Sequence, residues 1–260
     1  MRGPETGDLS GIDLTAVAQQ FSRDNELLTP GLLGLSATDT ETRDQLIDYV
    51  YGFDAFDQDD DGEVAENRSW ILGDIIHSIP LIVRYEEGEE GALILVGAND
   101  GLLHAFDDET GEELWAFLPP DVLPNLNALE PAEGGAHPYF ADGSPKLFSD
   151  EGQKIVVFGL GRGGRAYYGL DITNRSAPKL LWRVNETTPG YSELGYSHSA
   201  PALTKFGPAG GAPVAIVGAG YDSISTPKAS IRPIRAAMAE GCLRSISIPA
   251  RGWVLRKLRA

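Results

Sequence analysis

Cysteine is almost missing from this chain: Cys242 is the one cysteine among 260 residues, which excludes an intrachain disulfide and any zinc site built on cysteines. No uncharged apolar run reaches the roughly 18 residues of a membrane-crossing helix, so no transmembrane segment is expected. The opening residues Met1 to Asp8 place no apolar stretch after Arg2, and no signal peptide is read there. Taken literally, these absences predict a soluble chain that stays in the cytoplasm. There is no GxSxG elbow, no HExxH pair and no glycine-rich loop ending in Lys-Ser or Lys-Thr, so nothing assembles a catalytic centre and no enzyme is expected. Positive charge is scarce as well. The formal net charge of -17 repels nucleic acid and anionic membrane, excludes them as expected partners, and is compatible with cation binding.

What is present is turn chemistry and repetition. The 42% hydrophobic content and 31 glycines are ordinary for a globular, turn-rich protein. Residues 1–53 read as a helical and loop lead-in, with helix-compatible patterns over 14–21 and 41–50, the second capped by Asp39 or Thr40 and turning Leu46, Tyr49 and Val50 to one side. Residues 69–223 carry short apolar runs broken by glycine, asparagine and aspartate, and these runs repeat. The first unit sets runs at 77–83, 93–97, 102–107 and 113–117 in order; the second answers with 142–148, 155–159, 166–171 and 180–184. A third begins at 198–203 and 214–218, reaches Ser223 and stops matching. Pro80, Pro145 and Pro201 are 65 and 56 apart, Gly97, Gly159 and Gly218 are 62 and 59 apart, and Trp115 lies 67 before Trp182.

Four antiparallel strands per repeat mean an all-β fold, a partial β-propeller of two complete blades and a broken third. Asn99-Asp100-Gly101 suits a tight hairpin and the 107–111 turn ends on Gly111, where a left-handed residue is needed. The repeated glycines fit a crowded blade end, and the tryptophans pack between neighbouring sheets. Residues 159–164 satisfy GxGxxG, but a strand follows rather than a helix, so a blade hairpin is expected there instead of a dinucleotide site. His77 and His198 hold equivalent repeat positions, and with His104 and His137 they lack a metal-ligand spacing; a structural role is expected of them.

One loop carries a chemical signal. Over 54–68, Asp57, Asp59 and Asp61 fall at positions one, three and five of a calcium loop, with Gly62 at six for the sharp turn. Glu63 can offer its backbone carbonyl and Glu66 a later carboxylate. Arg68 stands at position twelve, so a complete EF-hand is excluded. The metal set read from the sequence is therefore Asp57, Asp59, Asp61, Glu63 and Glu66, with calcium as the cofactor.

The segments 70–78, Val96-Gly97-Ala98-Asn99-Asp100-Gly101-Leu102-Leu103-His104-Ala105-Phe106-Asp107 and 139–145, continued by 159–171 and 218–223, resemble the C-terminal propeller of PilY/PilC-type pilus factors over residues 45–223. That resemblance implies a type IV pilus assembly and adhesion factor at the outer membrane, cell surface or pilus, working through pilins or other pilus components and a host or surface ligand, with calcium on an aspartate-rich loop. It also implies a signal peptide and a long N-terminal region that this sequence lacks, so the chain reads as a fragment. Two other readings remain at this stage. Ala105 to Trp115 carries the Ala-x-Asp-x-x-Thr-Gly-x-x-x-Trp pattern of quinoprotein (PQQ-type) dehydrogenase blades, and a blade-repeat scaffold of outer-membrane assembly is the third. Residues 224–260 break the pattern with eight basic residues against Glu240 alone, and the expectation for that tail is a shifted reading frame or premature gene break.

Overall fold

The computed structural model of the chain describes residues 12–14, 19–85, 91–131, 137–206, 212–221, 236–237 and 253–255. It opens with strand β1 (Ile12–Asp13) and helix α1 (Thr40–Tyr51). Asp39 caps α1 by accepting from Thr42 N at 3.1 Å, and Gly52 ends it in the left-handed region at φ 100°, the ordinary chemistry of helix ends. Leu46, Ile47 and Val50 are the buried face; Ile47 takes the place expected of Tyr49. Of the helix-compatible stretch 14–21, residues 15–18 lie outside the described residues, while Leu14 lies in a turn directly after β1 and Phe21 is non-helical.

Three antiparallel sheets follow. β2 (Leu81–Arg84), β3 (Ala92–Gly97), β4 (Leu103–Asp107) and β5 (Glu113–Leu118) form a meander in chain order, as do β6 (Lys146–Asp150), β7 (Gln153–Gly159), β8 (Ala166–Asp171) and β9 (Lys179–Asn185). β10 (Ala202–Phe206) and β11 (Ala212–Ile216) begin the third, joined by β12 (Ala236–Ala237). β13 (Trp253–Leu255) pairs with β5, and β1 with β9. Of the basic segment 224–260 only β12 and β13 are described, so the reading-frame expectation lies outside the described residues. The GxGxxG stretch connects β7 to β8 through a single 3-10 turn at Gly161–Gly163, the hairpin expected of it.

The repeat is preserved in detail. Both blades bulge at the same place between third and fourth strands, at Ala105/Phe106 and Gly169/Leu170. Each tryptophan sits across from the small residue before the bulge, Trp115 opposite Ala105 and Trp182 opposite Gly169. A Cβ on Gly169 would come within 2.3 Å of the Trp182 ring, so the small residue makes room for the indole. The glycine closing the second strand answers to a different neighbour: a Cβ on Gly97 would stand 1.9 Å from Ala141 O, and one on Gly159 2.6 Å from Ser197 O.

The first strands begin at Leu81 and Lys146, four residues later than the apolar pattern suggests, because the residues preceding the two strands bond to each other across the repeats instead. Ser78 Oγ donates to Gly143 O at 3.1 Å and Ile79 N donates to Ser144 Oγ at 3.0 Å. Farther out, Trp115 Nε1 donates to Arg175 O at 2.9 Å, Tyr85 OH donates to Ile172 O at 2.7 Å, and Arg175 pairs with Asp107. Phe117, Phe158 and Tyr168 fill the space between with ring centroids 5.4–6.1 Å apart, favourable edge and offset contacts. The same core takes in Leu46 and Val50 of α1 and Val122 and Leu126 of the 3-10 segment Pro120–Leu129.

Gly163 is the tightest of these approaches, with Phe140 O only 1.8 Å from where a Cβ would stand. Backbone cannot swing aside as a flexible side chain can. Gly163→Ala is expected to destabilise the chain by about 1–3 kcal/mol, read as a lower urea midpoint, whereas Gly31→Ala, where nothing lies within 4 Å, leaves the midpoint nearly unchanged.

Candidate metal centre

The acidic loop between α1 and the first blade is closed at its base. Asp54 N donates to Glu66 O at 2.8 Å and Arg68 N to Gly52 O at 2.8 Å, Phe53 and Asn67 form an antiparallel bridge, and Arg68 reaches back to Tyr49 O at 2.8 Å. The Arg68 guanidinium also lies 3.7 Å from the centre of the Tyr49 ring. That arginine, which denies position twelve to a carboxylate, is thus the clamp that fastens the loop to the helix.

Within the loop three residues take positive φ, Asp57 at 49°, Asp60 at 63° and Gly62 at 88°, a conformation that aspartate tolerates better than most and glycine best. Local bonds fix it: Asp57 Oδ1 accepts from Gly62 N at 3.0 Å, Asp61 Oδ1 from Glu63 N at 2.8 Å, and the Asp54 carboxylate from Gln58 N at 3.0 Å. The outcome is two carboxylate triplets sharing one member, Asp57 with Asp59 and Asp61, and Asp54 with Asp59 and Glu66, each with its oxygens within 4.8 Å of one another. Four of the five residues read from the sequence come together. Glu63 belongs to neither triplet, and the buried Asp54 takes part where the sequence reading had only the start of the loop. Its signal was available, since Asp54 stands three residues before Asp57, but the calcium-loop pattern begins counting at Asp57.

Like charges this close disfavour full ionisation. The Glu66 carboxyl is pushed above the ordinary glutamate value, first by the charge of Asp61 and then by burial and by Asp59, Asp54 and Glu63. An oxygen-seeking dication relieves such repulsion, and carboxylate oxygens on a turning loop are the donor set that calcium takes.

The histidines go elsewhere. His77 Nδ1 contacts both Asp142 oxygens at 2.8 and 2.9 Å, so its partner is the equivalent residue of the next blade. His104 is buried between Asp100 and Glu113, and His137 pairs with Asp74 at 2.9 Å.

No helix among the described residues is long and apolar enough to cross a membrane. At 34% identity, 69% of the chain aligns with the type IV pilus biogenesis factor PilY1 of Pseudomonas aeruginosa strain UCBPP-PA14, and 62% with a PilY1 homolog of Xylella fastidiosa. These alignments cover 17% and 15% of the relatives, so the chain spans about a sixth of their length. The crystal structure of the Pseudomonas aeruginosa PilY1 C-terminal domain shares 33% identity over 52% of this chain and 26% of that one, with a TM-score of 0.39. A model of the PilY1 β-propeller domain matches residues 85–233, more than half of the chain and into its basic segment. With its ordered four-stranded blades and that match, the chain belongs to the PilY1 β-propeller family of type IV pilus biogenesis factors.

Proposed function

We propose that this chain serves type IV pilus biogenesis as a calcium-holding, non-catalytic module, which binds pilins or other pilus components and a surface ligand at the cell surface or on the pilus. The match over residues 85–233 carries the pilus reading, and it sets aside the quinoprotein alternative because the relatives matched are pilus factors. The two triplets joined at Asp59 support calcium. Asp54, Asp57, Asp59, Asp61 and Glu66 would hold the ion, with Glu63 left to backbone contact; a bound dication would supply charge neutralisation that lets the loop keep its turn. Because the loop is tied to α1 through Gly52 and Arg68, ordering it stiffens the entry to the first blade.

Calorimetric titration tests the metal claim. The expected dissociation constant lies in the range of about 10⁻⁵ to 10⁻³ M, as in weaker calcium sites. Asp59→Ala removes a member of both triplets and is expected to abolish the heat, while Asp57→Ala/Asp61→Ala weakens it strongly; heats equal to the parent in both variants would remove calcium from the proposal. Calcium at a hundred times its dissociation constant raises stability by about 2.7 kcal/mol, a shift visible in thermal melts. Since the Glu66 carboxyl is pushed above the ordinary glutamate value by Asp61 and the other acids around it, calcium affinity is expected to fall as the solution is acidified. For the pilus role, the measurement is pull-down of pilus components by the purified chain with and without calcium.

A further inference from the structure

A second polar site lies among the segments that lead into the first strands of the blades and shares no residue with the acidic loop. Residues 77, 142 and 198 each stand three places before the repeated proline, and all three line one cavity of about 370 Å³ together with Arg162 and Ser199. That volume holds on the order of ten waters at about 30 Å³ each, enough for a small organic group rather than a single ion. The three positions do not behave alike. Asp142, with a side chain 2% exposed, turns both oxygens to His77 Nδ1. A carboxylate only accepts, so the proton sits on Nδ1 and the ring is fixed with Nε2 outward.

Arg162 and His198 are left without such a partner. Arg162 rests on Tyr139, 5.1 Å from the ring centre, and donates to the Tyr139 hydroxyl at 3.3 Å; it has no ion pair among the described residues. The exposed His198 has ring contact with Tyr196 at 6.2 Å, and no side chain among the described residues bonds its nitrogens. In a chain of net charge -17, this cavity has its one carboxylate engaged by a histidine and holds an arginine that forms no ion pair among the described residues.

We propose that this cavity receives the carboxylate group of a small ligand or of an acidic side chain, with Arg162 as the main charge and His77 and His198 flanking it. A planar guanidinium matches a carboxylate through two parallel N–H bonds, and Tyr139 holds the side chain at the rim where such a group enters. Asp142 is a positioning residue: it fixes the His77 ring and does not touch the ligand. The inference is independent of calcium, because the loop carboxylates lie on a different segment and none of them lines this cavity.

The test follows the four histidine ring signals by carbon-edited NMR in the full 260-residue chain, at constant ionic strength, as sodium acetate replaces sodium chloride. Saturable shifts are expected for His77 and His198 but not for His104 or His137. Arg162→Gln, an exposed substitution that leaves folding intact, is expected to weaken the acetate effect at least tenfold. Absence of a saturable shift, or an unchanged response in Arg162→Gln, would overturn the proposal. Two further probes sharpen it: inorganic phosphate binding ten times tighter than acetate would overturn the carboxylate assignment, and micromolar zinc moving the same two signals where acetate does not would replace it with a metal site.

Discussion

Asp121→Ala is expected to be among the most damaging single substitutions in this chain, with a loss approaching the ~3–5 kcal/mol of a buried ion pair that loses one partner, because the Asp121 and Arg183 side chains keep only 16% and 18% of their surface exposed. Asp121 lies in the 3-10 segment between the blades and reaches into the second. Arg183 grips it with two bonds of 2.5 and 2.6 Å, Asn185 Nδ2 donates at 2.9 Å, and the Tyr168 hydroxyl donates to the same carboxylate. Burial alone would raise the Asp121 carboxyl, but the hydrogen bonds and charge of Arg183, with Tyr168 and Asn185, outweigh it and hold it below the ordinary aspartate value. Removing the carboxylate leaves a guanidinium, a phenol and an amide without their common acceptor. If the pair itself is the cause, Asp121→Ala/Arg183→Met is expected to recover a large part of the loss, because no charge then remains unpaired. Urea midpoints of the two variants decide the matter; a double variant as unstable as the single one would point to lost packing instead. The sign with pH follows from the lowered carboxyl. Its contribution is present above the unfolded value of 3.8 and is lost as pH falls through the folded one.

That cluster was invisible in the sequence, and the reason is distance along the chain: Asp121 and Arg183 are 62 residues apart. The blades were legible because their demands are local and recur. A glycine must end the second strand where Ala141 O and Ser197 O crowd it, a small residue must face each tryptophan, and each turn needs its glycine or aspartate; all of these leave marks at fixed spacing. The start of the first strand was misjudged by four residues, since residues 77–79 look like strand but bond to 142–144, the segment that leads into the second blade. The acidic loop was half legible. Its aspartates and Gly62 announce a turn around a cation, whereas the arrival of Asp54 and the exclusion of Glu63 depend on the bridge between Phe53 and Asn67, which no spacing rule anticipates. His77 and Asp142 show the intermediate case. Their equivalence was in the sequence, through the repeated prolines, but that one equivalent residue would bond the other needed the packing of adjacent blades.

Stability is also expected to fall as the solution is made alkaline, and His104 is the cause. The ring is 4% exposed and stacked on Phe106 at 5.6 Å, with Glu113 at 2.5 Å from Nδ1 and Asp100 at 3.0 Å from Nε2. Two carboxylates accept from both nitrogens, so the imidazolium is the form that fits. Burial would depress its titration, yet the charge and bond of Asp100 and then those of Glu113 prevail, and the value is pushed from 6.5 up to about 10. A raised histidine contributes its full stabilisation below the unfolded value of 6.5 and loses it as pH rises through the folded value near 10. Between pH 6.5 and 9 the linkage relation gives a loss of up to about 3 kcal/mol. Asp100 works in the opposite direction: Burial resists its ionisation, but His104 and the amides of Gly73 and Leu102 hold its carboxyl low, so its share is lost only in acid. The triad is therefore most stabilising between about pH 4 and 6.5, below the histidine's and above the aspartate's unfolded value. Urea titrations at pH 6.5 and 9 measure the slope, and His104→Gln, which keeps a donor in the hairpin but cannot titrate, is expected to flatten it. A parent chain equally stable at both pH values would mean that the ring is neutral, and that one of the two carboxylates, held by Gly73 and Leu102 on one side or open to water at Glu113 on the other, carries the proton instead.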